Sequence, residues 1–205
     1  MPGGRGRVRI VGIMPVMKKE YGTLRRRTLL TPVWIAGMGA VIAAVALAVA
    51  GWVWVTAGST VVVLVRHAEK MTDEGSDPHL SAAGQARAEL LGRMFGNGAA
   101  LGRLDAIYVS PTRRSHETAA PLAARLHLPL TQEQQDDLRA LVHRVMREHA
   151  GGRVLIVGHS DTVPDLVKDF SGEGPVPEIA DDEFGTMYIV EVPRLGHANV
   201  LRLTY

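Results

Sequence analysis

The stretch Thr60-Val61-Val62-Val63-Leu64-Val65-Arg66-His67-Ala68-Glu69 decides how this chain is read. From Thr60 to Val65 the run is β-branched or Leu with no polar alternation, which is the pattern of a strand covered on both faces. It then stops on a guanidinium and an imidazole. Two shorter runs of the same kind follow, Ala106 to Val109 and Val154 to Val157. The second leads through Ser110-Pro111-Thr112 to Arg113-Arg114, and the third ends in Gly158-His159-Ser160. Ligands of open parallel sheets bind beyond the carboxyl ends of the strands. Three strand ends that converge with two imidazoles and a guanidinium pair make a site for a dianionic oxyanion, with phosphate the obvious candidate.

Between these strands the apolar period changes from 2 to 3.6. Ser81 can cap a helix carrying Leu90, Leu91, Met94 and Phe95, which Gly96-Asn97-Gly98 would stop. Ser110-Pro111 reads as an N-cap with a first-turn proline, opening a helix with Ala119, Leu122, Ala123 and Leu126 on one face. A further helix uses Leu138, Leu141, Val142, Val145 and Met146 and breaks at Gly151-Gly152. Thr162 and Asp165, with Pro164, resemble a capping box for the last helix. Ser171 to Gly185 is a Gly, Pro and acid-rich loop, whose Glu178, Asp181, Asp182 and Glu183 read as solvated rather than as a cation site. Thr186 to Val192 and Asn199 to Tyr205 form a closing strand pair. The order βαβααβ followed by two strands predicts an α/β fold, a three-layer αβα sandwich around a mostly parallel sheet.

Upstream, the 205 residues are 46% hydrophobic but 5% aromatic, and the apolar excess sits in one place. From Pro32 to Ala57 no residue is charged, enough at about 1.5 Å per residue to cross a hydrocarbon core of about 30 Å. Trp34, Trp52 and Trp54 near its ends suit the two interfaces. Before it stand Arg5, Arg7, Arg9, Lys18, Lys19, Arg25, Arg26 and Arg27, opposed by Glu20. Eight cations against one anion give the tail +7, so the formal +2 of the whole chain leaves −5 for the rest. A nucleic-acid partner would need a basic face on the folded domain, and none is visible. The chain therefore divides into a basic cytoplasmic tail over 1–31, a transmembrane anchor over 32–57 and a domain over 58–205. The basic tail stays inside, so the domain faces outward as part of a single-pass membrane protein. The alternative is a secreted domain released by signal cleavage near Val55-Thr56-Ala57, although signal cores run about 7 to 15 residues. Met14 and Met17 are alternative starts. The absence of cysteine removes disulfides and thiolate metal sites.

Arg66-His67-Ala68-Glu69 after a Val-rich strand resembles the RHG or RHA signature of the histidine phosphatase superfamily, whose fold is phosphoglycerate mutase-like. Leu80-Ser81-Ala82-Ala83-Gly84 is similar to its Leu-Thr-x-x-Gly helix start, Tyr108 to Ala119 to its second-arginine segment, and Gly158-His159-Ser160 to its second histidine motif. The resemblance covers nearly all of Thr60 to Tyr205. It implies a phosphoric monoester hydrolase with His67 as nucleophile and Arg66, Arg114 and His159 gripping the phosphoryl group, without cofactor or metal. Arg113 would be a surface residue, and His79, His116, His127, His143, His149 and His197 surface or capping residues, His79 nearest the pocket mouth. A zinc hydrolase is the mechanistic competitor, but no HxH or HExxH supplies ligands.

The sequence departs from the family where mutases carry an acid after the second arginine, since only Leu130-Thr131-Gln132-Glu133 stands there. Asp161 is the favoured proton donor over Glu133, and its place at a helix start equally suits a structural cap. With no long insertion, a phosphatase with an open site fits better than mutase-type phosphoryl transfer. A non-catalytic, membrane-tethered phosphate-binding module is the alternative of another class. The substrate would be a small phosphate ester or an envelope phosphate. Oligomeric state is not encoded in any motif.

Overall fold

The computed structural model describes residues 33–56, 58–72, 75–98, 102–134 and 137–205. The basic tail, the alternative starts Met14 and Met17, and Ala57 of the cleavage-like triplet lie outside them. The chain divides into two compact units, Met1–Ala43 and Ala44–Tyr205, with the boundary inside the first helix.

That helix, α1, runs Val33–Thr56. Trp34 to Trp54 is apolar enough to cross a membrane by length and composition, and none of its hydropathic window is buried. Trp34, Trp52 and Trp54 are all exposed.

The sheet is built from β1 (Thr60–Arg66), β2 (Ala106–Val109), β3 (Leu130–Gln132), β4 (Arg153–Gly158), β5 (Thr186–Val192) and β6 (Asn199–Thr204), in the order β3-β2-β4-β1-β5-β6. The first four are parallel; β5 runs antiparallel to β1, and β6 antiparallel to β5. Side chains of β1 alternate between the two cores. Val63 and Val65 join Leu91 and Phe95 of α2 (Ala82–Phe95) and Leu122 and Leu126 of α3 (Arg113–Leu126) on one face. Val62 and Leu64 join Leu141 and Val145 of α4 (Leu138–Glu148) and Leu166 and Phe170 of α5 (Thr162–Ser171) on the other. Both faces of β1 are therefore covered, which is why its sequence lacks a polar period. The three-layer, mostly parallel expectation holds.

Three local expectations do not. The segment after α3 contains β3, so the order there is βαβαβαβ rather than βαβααβ. The third helix opens at Arg113 with Thr112 at its N-cap, and Pro111 lies outside it. Thr112 makes no side-chain cap; the Arg113 N–H donates instead to Asp77 Oδ1 at 2.9 Å, a cap supplied from a distant loop. The last helix is capped by Asp161, whose Oδ1 accepts the Thr162 N–H at 2.8 Å. Thr162 is not a capping-box residue, because its Oγ1 accepts the His159 N–H at 2.9 Å.

Candidate active site

β1, β4 and β2 end side by side, and their register sets the pocket. Arg66 pairs with Gly158, the His67 N–H donates to the Gly158 carbonyl at 2.9 Å, and the Ser110 N–H reaches the Val157 carbonyl at 3.2 Å. His67 and His159 are thereby brought together, with ring centroids 5.3 Å apart and planes inclined by 66°. His67 is buried, and its Nδ1–H donates to the Ala68 carbonyl at 2.8 Å. That bond fixes the tautomer and leaves Nε2 with its lone pair. Burial pushes the imidazole down from 6.5 to about 3, the carbonyl contact opposes this, and Arg114, His159 and Arg66 press it further down. His67 is a neutral base at neutral pH. His159 is lowered as well, first by burial and then by Arg114, with Asp161 pulling the other way.

The two arginines are held by their terminal nitrogens. Arg66 is 4% exposed; its Nη1 donates to the carbonyls of Ala180 (2.7 Å) and Glu183 (3.1 Å), and its guanidinium lies 4.3 Å from the Phe184 ring centroid. Nη2 is 4.0 Å from Asp181. Arg114 Nη1 is 3.7 Å from Asp77 Oδ1. In both residues Nε is buried with no hydrogen-bond partner among the described residues. An unpaired buried donor costs about 1–3 kcal/mol, and an oxyanion is the ligand that would satisfy two such donors together.

The loop after β1 is locked to the helices. The Ala68 N–H donates to Thr118 Oγ1 at 2.9 Å, and the Thr118 hydroxyl donates to the Arg114 carbonyl at 2.7 Å. Glu69 is clasped by Arg87, with Nη2 to Oε1 at 2.6 Å, and its carbonyl accepts the Ser81 N–H at 2.9 Å. Gly84 lets α2 approach that carbonyl, since a Cβ there would stand 2.1 Å from the Glu69 oxygen. The Leu-Ser-x-x-Gly pattern thus has a physical reason: a cap, then a close approach.

The match over residues 62–140 is to the model of the histidine phosphatase superfamily, branch 1. The match covers less than half of the chain, and with the sheet described above it supports a histidine phosphatase superfamily domain. No curated protein matches its sequence. Among solved structures, the protein histidine phosphatase SixA complexed with tungstate is similar at 20% identity and a TM-score of 0.56, covering 70% of this chain and 96% of that one. A mycobacterial glucosyl-3-phosphoglycerate phosphatase in complex with inorganic phosphate is similar at 15% identity and a TM-score of 0.57, covering 71% and 97%. At these identities the likeness is one of fold. Together, the family-model match and the fold support a phosphatase enzyme.

In this domain, Arg66, His67, Arg114 and His159 meet at one sheet edge. Asp161 lies beside them, close enough to act on the charges of Arg66 and His159, while engaged as the α5 cap. Glu133 pairs with Arg144 of α4. Arg113 is exposed, its Nη1 donating to His79 Nε2 at 2.8 Å, and the opposite ring nitrogen of His79 meets Glu117. His127 and His149 cap α3 and α4. Three contributors were missed. Asp77 could have been suspected as an Asx cap ahead of Pro78. Thr118 could have been suspected from its one-turn spacing after Arg114. Phe184 sits in a loop without period and gave no signal. That loop is also more than solvated, because the Ala180 and Glu183 carbonyls hold Arg66.

Proposed function

We propose that this chain is a metal-independent phosphomonoesterase acting through a phosphohistidine at His67. The observation that carries the reading is the neutral imidazole, with Nδ1–H tied to Ala68, edge-on to His159 and within the electrostatic influence of Arg114 and Arg66. His67 Nε2 attacks phosphorus while the ester P–O bond breaks, and the leaving oxygen takes a proton from Asp161. Water then attacks the phosphohistidine, giving its proton to Asp161 and releasing inorganic phosphate and the free imidazole. Arg66, Arg114 and His159 stabilise the equatorial oxygens, the charge that a metal supplies in other phosphatases.

The substrate in this proposal is a phosphate ester and not a nucleic acid. α1 anchors the protein, and the +7 tail keeps the N-terminus in the cytoplasm and the domain outside. Turnover of p-nitrophenyl phosphate tests the chemistry: full activity in chelator, abolished by His67→Ala, is expected. Activity that dies in chelator, or survives the substitution, contradicts it. An alkaline phosphatase fused after Tyr205 should be active; an inactive fusion paired with a bright cytoplasmic reporter would reverse the topology.

A further inference from the structure

Arg66 ends β1, and its surroundings decide which of its donors are left to meet a ligand. A guanidinium carries its N–H donors in one planar fork. Nη1 is taken by the Ala180 and Glu183 carbonyls, and the guanidinium carbon sits over the Phe184 ring, 4.3 Å from its centroid. There remain Nε, buried with no hydrogen-bond partner among the described residues, and Nη2, 4.0 Å from the exposed Asp181. The Nε–Nη2 edge is one that can grip two oxygens of a phosphoryl group at once. The same Phe184 ring lies 6.0 Å from the His67 ring, inclined by 52°. The loop that presents it is fastened at several points. Ile179 is buried in the core beneath α4 and α5, the Glu183 N–H donates to the Ala180 carbonyl at 2.9 Å, and the Gly185 carbonyl accepts the Tyr205 N–H at 3.0 Å. The Glu183 carboxylate accepts from the Thr186 hydroxyl and, at 2.7 Å, from Arg202 of β6.

We infer that Phe184 is a positioning residue for Arg66: its ring covers the face of the guanidinium while the loop carbonyls hold Nη1, which leaves the Nε–Nη2 edge for the phosphoryl oxygens beside His67. The inference rests on the phosphatase reading above and adds a residue to it. The attraction of a cation for a ring face grows as water is excluded, and Arg66 is buried, so the contact orients the guanidinium in a way that an aliphatic side chain of similar volume does not. Donors stabilise a transition state best when they are already in place. An Arg66 without its ring would still meet substrate, but its donors would be misaligned with the charge that develops during transfer. The loss therefore belongs in kcat rather than in KM.

Turnover of p-nitrophenyl phosphate by the full chain provides the test, in a cycle of Phe184→Leu, Arg66→Ala and the double variant. Phe184→Leu should lower kcat about tenfold to thirtyfold. KM should change by less than about threefold. Phe184→Tyr keeps the ring face and should stay within about twofold of wild type. In the Arg66→Ala background, Phe184→Leu should cost nothing further, because the ring then has no guanidinium to hold. Should Phe184→Leu lower Tm, Phe184→Met fills the space with a flexible chain and carries the same expectation. Additive losses in the double variant, full activity without a ring, or a series in which kcat follows Tm instead of the aromatic face overturns the inference. Failure of the unmutated chain to hydrolyse the ester would count instead against the phosphatase reading.

Discussion

The β1–α3 side of the pocket and its α5 side are built to different standards. On the first, Arg66 and His67 are buried, Nδ1 is tied to Ala68, Ala68 to Thr118, Thr118 to Arg114, and Glu69 to Arg87. On the second, Asp161 and Asp181 are exposed and line an open groove of about 690 Å³ with Asp165, Lys168, Glu178 and Ile179. Phosphate is common to every substrate, so its grip can be fixed within the sheet. In the proposed reaction the leaving group is the part that varies, and the groove on the α5 side is wet and acidic. The contrast teaches that a rigid, buried cluster and an open, acidic groove can stand next to each other at one sheet edge.

The largest effect should come from the fixed side. Arg66→Ala removes a donor aimed at developing charge, and kcat for p-nitrophenyl phosphate should fall about 10²- to 10³-fold. A change confined to KM would show that Arg66 only binds substrate. The open side should respond according to the leaving group. Asp161→Asn should slow alkyl phosphates about 10²-fold and leave p-nitrophenyl phosphate nearly untouched, since that phenolate departs without a proton. Equal losses on both, or a lowered Tm, would make Asp161 only the cap of α5.

Smaller effects sharpen the scaffold half of the comparison. Gly84→Ala forces a methyl against the Glu69 carbonyl and should cost about 1–3 kcal/mol. Thermal melting reads this as a Tm lowered by several degrees, and an unchanged Tm would mean that α2 can move away freely. The last of these effects concerns pH. The folded His67 pKa of about 3 lies below the unfolded value of 6.5, so the unfolded chain binds the extra proton between them. His67 therefore contributes stability that is present above pH 6.5 and lost as pH falls toward 3. Wild-type Tm should fall more steeply than that of His67→Gln over this window; parallel curves would place His67 in water.

What the sequence disclosed follows the same division. β1, β2 and β4 were legible because strands covered on both faces need uninterrupted apolar runs, and a guanidinium or imidazole that ends such a run stands out. Arg114 was separable from Arg113 by motif spacing, and the structure agrees that Arg113 faces solvent while Arg114 is largely buried. β3 was missed because Leu130-Thr131-Gln132 is three residues long and pairs on one side only, with β2. The caps of α3 and α5 were misplaced for a related reason. Asp77 caps Arg113 across 36 positions, a tertiary contact that no local pattern encodes. Thr162 looked like a cap, but its hydroxyl serves the His159 backbone. The loop carrying Phe184 has no period, and only folding reveals that its carbonyls hold Arg66.

The central claim is that phosphate passes through His67, and trapping the intermediate tests it most directly. Brief exposure to phosphorus-labelled substrate followed by alkaline quench and peptide mapping should place an acid-labile, base-stable phosphate on the peptide containing His67, absent in His67→Ala. Label on His159, an acid-stable adduct, or turnover with no adduct at any time would contradict the account.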